Sequence, residues 1–373
     1  MEATDQMTIF YIPTKIIIGR SCIREKAILF SSLGTKALIV TGKQSAKLNG
    51  AERDVQAALE ELSIPSVVFD QVESNPSTSV CRAAAELARE HSVDLVIGLG
   101  GGSAIDAAKV AAVLATNRID DEALFSNVFS QKPLPIVAVP TTAGTGSEVT
   151  QYAMMTNDRV RSKSFVISDD IIPRIAFLDA AYTEHLPLPV TRNTALDALS
   201  HAMEGYLSKR ATEISSFIAL ESMRRLGQCL PMLRRGVDLD LGVREQLLVS
   251  SMLAGIVIAQ TGTTVLHAMG YSLTYFKKIA HGRANGLLMA GYLRFLLPEH
   301  QEKVMTVLRT LGVSRVDDLD DLINDLLESK GGLSEGEIAE FAAIAVKARN
   351  IPSTLKSPSQ ADIEAMFRSS FLS

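Results

Sequence analysis

The sequence predicts an α/β domain with a mostly parallel sheet over residues 1–182, followed by an all-helical domain over residues 183–373. Up to that boundary, short β-branched runs alternate with helical patterns, which is typical of parallel strands joined by crossover helices. Beyond it the β-branched runs stop, and helical patterns continue with loops near "RRGVDLDLG" and "KGGLSEGE". A cleft between two such domains is a common place for a ligand site.

The strands of the first domain are located by their apolar runs. We interpret as strands the segments "KALIVTG", "PSVVFD", "VDLVIGLG", "PIVAVPTT" and "RIAFLD". Between them, "STSVCRAAAELAREH" and "SAIDAAKVAAVLAT" predict helices. The start of the chain, "MTIFYIPTKIIIG", predicts two short strands about Pro13 and Thr14, added antiparallel at the edge of the sheet.

Composition limits the classes of partner. A chain of 373 residues with 47% hydrophobic residues is long enough for two sizeable domains, and this apolar content excludes disorder. The net charge of −5 and the absence of a Lys/Arg-rich block argue against nucleic acid and anionic membranes as main partners. Small neutral or anionic molecules therefore remain as ligands.

The sequence predicts a cytoplasmic location. Its three cysteines, Cys22, Cys81 and Cys229, lie far apart without a C-x-x-C pair, which is typical of a reducing compartment. The acidic start "MEATDQM" lacks the basic and apolar regions of a signal peptide. The stretch from Leu247 to His267 approaches the length of a membrane span, but its Ser, Gln and Thr residues favour a buried core helix.

A glycine turn follows one predicted strand. In "GLGGGSAIDAAK", Gly98 to Lys109, a strand ends in glycines and a helix begins, so bare N–H groups and a positive helix end would face an anion such as phosphate. Ser103 stands where the third Gly or Ala of G-x-G-x-x-G would be, so the motif alone is weak. A tight turn without a ligand remains the alternative.

Candidate metal ligands lie in the helical half. Asp197 and His201 are four residues apart on one helix face, and Glu204 shares that face. In one straight helix, His267 and His281 would lie about 21 Å apart, so a shared ion requires the helix to end between them. Gly270 and the pair Gly282 and Gly286 make a chain reversal there plausible, and ordinary core or surface imidazoles remain the alternative. His91, His185 and His300 lack such partners, and we interpret them as structural or surface residues.

The motifs together resemble those of the iron-dependent (group III) alcohol dehydrogenases over essentially the whole chain. They are "GGGSAIDAAK", "PTTAGTGSEVT", "DALSHAMEGYLS", and "HAMGYSL" followed by "HGRANG", in that order. The resemblance implies a nucleotide-binding α/β domain and a helical metal-binding domain. It also implies one divalent ion, Fe²⁺ or Zn²⁺, on Asp197, His201, His267 and His281. Pairing of related enzymes at the N-terminal sheet edge implies a homodimer or a multiple of dimers.

The same resemblance assigns a nicotinamide cofactor to the glycine turn and to nearby polar residues. Without the resemblance, the threonines would be ordinary loop residues, Lys163 a solvated charge and Asn75 a turn former. The implied cofactor-binding residues are Asn75, Gly100, Gly101, Gly102, Ser103, Thr141, Thr142, Thr145, Thr150 and Lys163.

The implied ligand set predicts the chemistry. Three imidazoles and one carboxylate leave a coordination position for an alcohol or carbonyl oxygen, so the ion can act as a Lewis acid during hydride transfer. The substrate would be a small primary alcohol, diol or aldehyde. Some family members carry a second histidine four residues after the ligand at 267, where this chain has Tyr271. Tyr271 is therefore either a catalytic substitute or pocket wall.

Two other functions are alternatives to the dehydrogenase. A metal- and NAD-dependent carbon–oxygen lyase similar to dehydroquinate synthase should line its cleft with Lys and Arg, whereas the segments beside the ligands are mostly apolar, with Arg283 the nearest exception. A catalytically silent scaffold should have lost a ligand, and none is missing from the motifs. The dehydrogenase therefore remains the leading hypothesis.

The stretch "LIVTGKQSAK" predicts which nicotinamide cofactor is used. A carboxylate at the end of the strand beside the adenosine ribose selects NAD, because it repels a 2′-phosphate. That place in the family pattern is Gly42, with Lys43, Ser45 and Lys47 nearby as donors. We therefore expect NADP(H) in preference to NAD(H), the alternative being that Gly42 only relieves a turn and the lysines are solvated.

Overall fold

The structure is a computed structural model that describes residues 7–157, 162–236, 239–327 and 331–371. The expected fold class is confirmed: a parallel sheet with helices comes first, and only helices follow it. The acidic start of the chain and parts of the two expected loops, near residues 237–238 and 328–330, lie outside the described residues.

The main sheet is parallel throughout, with strand order β1-β8-β5-β4-β2-β3. All the runs interpreted as strands belong to it, and the central ones are buried along their whole length, which explains their unbroken apolar sequences. A separate antiparallel hairpin, β6 and β7, was not predicted. The strands are Lys15–Ile18 (β1), Ala37–Gly42 (β2), Ser66–Val72 (β3), Leu95–Gly100 (β4), Ile136–Pro140 (β5), Tyr152–Asn157 (β6), Ser162–Ile167 (β7) and Ile175–Leu178 (β8).

The helices divide at the end of β8. Those of the first half are Cys22–Glu25 (α1), Ser45–Leu48 (α2), Ala51–Glu61 (α3), Thr78–Glu90 (α4), Gly102–Thr116 (α5) and Asp121–Phe125 (α6). Those of the second half are Leu188–Tyr206 (α7), Glu213–Arg235 (α8), Leu241–Thr261 (α9), Val265–Lys277 (α10), His281–Leu296 (α11), Gln301–Leu311 (α12), Val316–Leu326 (α13), Glu335–Ala345 (α14) and Gln360–Phe371 (α15).

The prediction of two antiparallel strands at the start of the chain is wrong. A single strand, β1, joins the sheet there, and it runs parallel to β8. The residues before it do not pair with a strand, because the backbone N–H and C=O of Tyr11 bond to the side-chain amide of Gln260 on α9, at 3.1 and 3.0 Å. The Thr14 hydroxyl, which donates to Pro173 O at 2.7 Å, fixes where the strand begins.

The apolar stretch from Leu247 to His267 is divided between two helices. Helix α9 ends at Thr261, Gly262 has a φ of 67°, and α10 begins at Val265. Among the described helices, α9 alone is long and apolar enough to cross a membrane, and 61% of its most apolar window is buried inside the protein. It packs against α7 and α8 in the core of the helical half.

The chain reverses between His267 and His281, as a shared ion requires, but the glycines do not form the turn. The turn is Lys278–Ala280, where Lys278 has a φ of 55°. Gly270 lies inside α10, where an added Cβ would be 2.1 Å from Oδ1 of Asn285 on α11. This glycine therefore allows α10 and α11 to pack closely, which brings the two imidazoles together.

Candidate active site

The glycine turn between β4 and α5 lies against the threonine loop. Gly100 has a φ of 144°, which only glycine adopts readily, and a Cβ on Gly102 would lie 2.5 Å from Cγ2 of Thr145. No side chain caps the N-terminus of α5. The turn therefore presents backbone N–H groups and a positive helix end to the cleft, as a phosphate site requires.

A buried lysine on α5 fixes the loop that follows β5. The ammonium of Lys109 is fully buried and donates to Ser147 Oγ at 2.9 Å, Thr150 O at 2.9 Å and Tyr152 O at 2.7 Å. Asp106, one turn earlier, accepts from the hydroxyl of Ser147 at 2.5 Å. Lys109 belongs to the glycine motif, but its role could not be predicted from the sequence, because its partners lie about forty residues away.

Most of the expected cofactor-binding residues line one cleft. Exceptions are Thr141, which is buried beneath the loop, and Lys43, which is exposed beside it. Thr150 and Lys163 lie in the adjoining pocket. The expected residues that line the cleft itself are Gly42, Ser45, Asn75, Gly100, Gly101, Gly102, Ser103, Thr142 and Thr145.

The end of this cleft near β2 differs in part from expectation. Gly42 and Ser45 line it, but Lys47 is not among the residues that line it and forms an ion pair with Asp70 at 2.7 Å. The Asp70 carboxylate raises the pKa of Lys47, and the Lys47 ammonium lowers the pKa of Asp70. Glu73, just after β3, lines the same end of the cleft, and its carboxylate was not considered from the sequence.

Three helices bring the four candidate metal ligands to one point. Asp197 and His201 lie on α7, His267 on α10 and His281 at the start of α11. Nε2 of His201 is 3.0 Å from Nε2 of His267, and Nε2 of His281 is 3.9 Å from Oδ1 of Asp197. Ligand atoms of Asp197, His267 and His281 all lie within 4.8 Å of one another. The structure therefore places the four expected ligands together.

The outer nitrogens of the imidazoles all have acceptors. Nδ1 of His267 bonds to the carboxylate of Glu204, and Nδ1 of His201 is 3.3 Å from Gly144 O. Nδ1 of His281 is 3.4 Å from the Thr274 hydroxyl, which itself donates to a backbone carbonyl. With the proton on each Nδ1, each neutral ring would direct the lone pair of Nε2 to the common point. This tautomer is the one that a metal ligand requires, and the donor set fits a divalent ion.

Burial sets the charge of these groups. It lowers the pKa of His201, and burial together with Lys163 holds the pKa of His281 well below its usual range, so both rings are neutral. Burial also lowers the pKa of His267, but the Glu204 carboxylate more than offsets this effect and raises it. Burial raises the pKa of Glu204, and His267 and Thr264 reverse that effect, so Glu204 is ionised.

Tyr271 forms part of the pocket wall beside the imidazoles. Its ring stacks on His281 with centroids 5.7 Å apart, and the ring of Phe165 on β7 lies 6.0 Å away on another side. Burial raises the pKa of Tyr271 far above its usual range. Its hydroxyl therefore keeps its proton near neutral pH, which favours a wall over a general base.

The cleft beside the glycine turn and the pocket at the imidazoles are continuous. Six residues line both: Asn75, Gly102, Ser103, Thr145, Asp197 and His281. The second pocket encloses about 300 Å³, and three cationic side chains, Lys163, Arg210 and Arg349, contribute to its lining. Both arginines were missed from the sequence because they lie in loops without a recognisable motif.

Comparison with known proteins identifies the family. The model of the iron-containing alcohol dehydrogenases matches residues 13–180, and that of the C-terminal domain of Fe-containing alcohol dehydrogenases matches residues 191–371. This chain belongs to the iron-containing alcohol dehydrogenase family. It is therefore an oxidoreductase of the alcohol dehydrogenase class, and the family uses a divalent metal and NAD(H). The resemblance drawn from the motifs is confirmed.

Relatives span alcohol and aldehyde chemistry. The chain is 28% identical to the NAD-dependent methanol dehydrogenase of Bacillus methanolicus, covering 92% of this chain and 86% of the relative. It is 30% identical to the sulfoacetaldehyde reductase of Bilophila wadsworthia, covering 86% and 85%. Among solved structures, the iron-containing alcohol dehydrogenase of Thermotoga maritima is similar, with a TM-score of 0.90, 36% identity, and 98% and 99% of the two chains covered.

Proposed function

We propose that this chain transfers hydride between a nicotinamide cofactor and a small primary alcohol, diol or aldehyde, with a divalent ion held by Asp197, His201, His267 and His281. The observation that supports this best is the convergence of the three Nε2 atoms and the Asp197 carboxylate where the two pockets join. When bound, the ion would supply a Lewis acid for the substrate oxygen, and the nicotinamide would donate or accept the hydride.

The residues of the chain position the reactants. The N–H groups of the glycine turn bind the pyrophosphate, and the hydroxyls of Thr142, Thr145 and Thr150 orient the rest of the cofactor along the cleft. The rings of Phe165 and Tyr271 exclude water from one side of the pocket. Tyr271 acts in this proposal as wall, because its ring packs against His281 and Phe165.

The cofactor of the proposal is NADP(H) in preference to NAD(H). Gly42 at the end of β2 leaves no carboxylate to repel a 2′-phosphate, and the hydroxyl of Ser45 lines the same part of the cleft. Lys43 is exposed nearby, while Lys47 forms an ion pair with Asp70. The Bacillus methanolicus relative is named as NAD-dependent, whereas we propose NADP(H) for this chain. The cofactor preference therefore has its own test in the Discussion.

We place the enzyme in the cytoplasm and expect a homodimer or a multiple of dimers. All three cysteines are buried and free, which suits a reducing compartment. Burial raises the pKa of Cys22 to about 12 and of Cys229 to about 11, so neither thiol is reactive.

A carbon–oxygen lyase remains the second function to test. Lys163, Arg210 and Arg349 give the pocket more cationic lining than the sequence suggested, which was the feature expected of such a lyase. Family membership favours the dehydrogenase. Net oxidation of the reduced cofactor distinguishes the two, because a lyase returns its cofactor unchanged.

The test uses purified protein reconstituted separately with Fe²⁺ and with Zn²⁺. Each preparation is mixed with NADPH or NADH and short aldehydes, and the absorbance of the reduced nicotinamide is followed. We expect oxidation of the cofactor that depends on both metal and aldehyde. Absence of turnover with every metal, cofactor and aldehyde would refute the proposal.

Two variants connect the activity to the metal centre. His267→Ala and His281→Ala should each lose bound metal and activity, while circular dichroism shows that the fold is retained, since the apolar core is far larger than one site. His185→Ala is the control, because His185 is exposed and outside the pocket. Normal turnover in either of the first two variants would contradict the assignment of these ligands.

A further inference from the structure

The outer wall of the pocket is built from three loops that are held together. Ser208 and Thr354 form an isolated antiparallel bridge, and Lys209 N donates to Ser353 O at 2.9 Å. The side-chain amide of Asn350 donates to Thr264 O at 2.7 Å, just before the helix that bears His267. Residues 208–210, 262–264 and 349–354 are therefore fixed relative to one another and to the metal centre.

This wall brings two arginines to the same pocket. Arg210 follows the bridge residue Ser208, and Arg349 directly precedes Asn350. Both side chains line the pocket, and both residues are exposed at its mouth. Within the described part of the chain, neither guanidinium has an ion-pair partner, in contrast to arginines such as Arg82, Arg294 and Arg368.

Two carboxylates, Asp106 and Asp197, contribute to the described pocket lining, and neither forms an ion pair with the arginines. Asp106 accepts hydrogen bonds from Ser147 and from the backbone N–H of Met154, and Asp197 belongs to the metal centre. No glutamate contributes to the described lining. Cationic side chains therefore outnumber carboxylates in the described lining although the whole chain has a net charge of −5, which favours an anion beside the two arginines.

We propose that the preferred substrate carries a terminal anionic group, a carboxylate or a sulfonate, at the end opposite the reacting alcohol or aldehyde. The reacting oxygen lies at the metal centre and the anion between Arg210 and Arg349. Guanidinium groups pair with such anions through two parallel hydrogen bonds, which fixes the substrate orientation as well as adding affinity. This inference rests on the proposed dehydrogenase function and specifies its substrate class.

The experiment compares aldehydes matched in length. For the metal-loaded enzyme with its cofactor, kcat/KM is measured for succinic semialdehyde and for butanal, and for sulfoacetaldehyde and propanal. We expect the anionic member to be preferred by about tenfold or more, mainly through KM, and the preference to shrink as ionic strength rises. The two pairs test a carboxylate on the longer chain and a sulfonate on the shorter one, each against its own neutral partner.

Substitutions of the two arginines test whether they cause the preference for anionic aldehydes. In Arg210→Ala/Arg349→Ala the ratio of kcat/KM values for anionic over neutral aldehyde should fall by about tenfold, and the corresponding double Lys variant should restore part of it. Arg309→Ala is the matched control, because Arg309 is exposed but does not line this pocket, and its ratio should equal that of the wild type.

Two contrary results are distinguishable. Turnover of butanal without an anionic preference, or a preference that survives in the double Ala variant, overturns this inference and leaves the dehydrogenase function intact. Absence of turnover with all four aldehydes overturns the proposed function and this inference with it.

Discussion

The carboxylate of Glu204 contacts Nδ1 of His267, and this contact turns Nε2 of the same ring toward the other candidate metal ligands. Glu204 is completely buried, and its second oxygen accepts from the N–H and the hydroxyl of Thr264, at 2.8 and 2.6 Å. An ionised carboxylate in this position fixes the ring orientation and makes the imidazole a more basic ligand. Glu204 is thus a positioning residue for the metal centre.

Glu204→Gln should lower metal affinity by about 10–100-fold, because the amide keeps the shape of the side chain but not its charge. Affinity is measured by competition with a chelator of known strength. Tyr292→Phe is the control, since it removes only a hydroxyl 3.2 Å from Thr264 Oγ1 and leaves the carboxylate–imidazole contact in place. Wild-type metal affinity in Glu204→Gln would show that the contact does not support the site.

Glu148 should make the protein less stable as the pH rises. Burial raises its pKa to about 7, above its ordinary value of 4.5, and its Oε1 has no hydrogen-bond partner in the described part of the chain. Between these two values the folded state binds more protons than the unfolded state, so the free energy of unfolding falls as pH increases through the window. The stability associated with the protonated form is fully present only below about pH 4.5.

The substitution Glu148→Gln should remove this pH-dependent loss of stability. At about pH 8 the variant should be more stable than the wild type by on the order of 1–3 kcal/mol, and the difference should vanish near pH 4. Urea unfolding of the metal-free protein at several pH values measures it. The exposed Glu60→Gln is the control, and a stability difference that does not change with pH would contradict the assignment.

Sequence patterns predicted those parts of the fold that depend on local periodicity. The runs "KALIVTG" and "VDLVIGLG" form the adjacent buried strands β2 and β4, because short β-branched apolar runs between turn residues are typical of strands buried on both faces. The prediction of two antiparallel strands at the start of the chain was wrong because the side-chain amide of Gln260 bonds to the backbone of Tyr11. Periodicity contains no information on that distant contact.

The site was predictable to the extent that motifs specify it. Asp197 and His201 follow from helical spacing, whereas the meeting of His267 and His281 depended on a turn at Lys278 rather than at a glycine. Arg210 and Arg349 share a pocket only because the loops at Ser208 and Thr354 form a bridge. Such contacts between distant loops have no sequence signature.

The edge of the sheet should mediate assembly. Strand β1 is at one end of the strand order, and the residues before it expose apolar side chains, with Met7 88% and Ile9 79% exposed. An unpaired strand edge and adjacent apolar groups favour pairing with a second copy, so we expect a dimer or a multiple of dimers. Light scattering after size-exclusion chromatography at micromolar concentration measures the mass.

Ile9→Glu should weaken that assembly by placing a charge in the apolar segment, whereas Val128→Glu, at a residue 65% exposed beyond α6, should leave it intact. A monomeric wild type, or loss of assembly only in Val128→Glu, would show that the sheet edge is not the contact.

The choice of cofactor depends on Gly42, where β2 ends opposite Val72 of β3. An added Cβ would lie 3.4 Å from Val72 O, an ordinary contact, so Gly42→Asp can be made without distorting the strand. We expect the wild type to prefer NADPH and Gly42→Asp to prefer NADH, because the new carboxylate would repel a 2′-phosphate and accept from a 2′-hydroxyl, at a cost to NADPH of a few kcal/mol.

The matched control for this change is Gly42→Asn, which adds a side chain of the same size without the charge. Its preference should stay with NADPH, because only repulsion by a carboxylate, and not bulk, discriminates against the phosphate. The measurement is the ratio of kcat/KM values for NADPH and NADH in the three proteins. If Glu73, which lines the same part of the cleft, already supplies the selecting carboxylate, the wild type will prefer NADH and Gly42→Asp will leave the ratio unchanged. Either result would move the determinant of cofactor choice from the end of β2 to the end of β3.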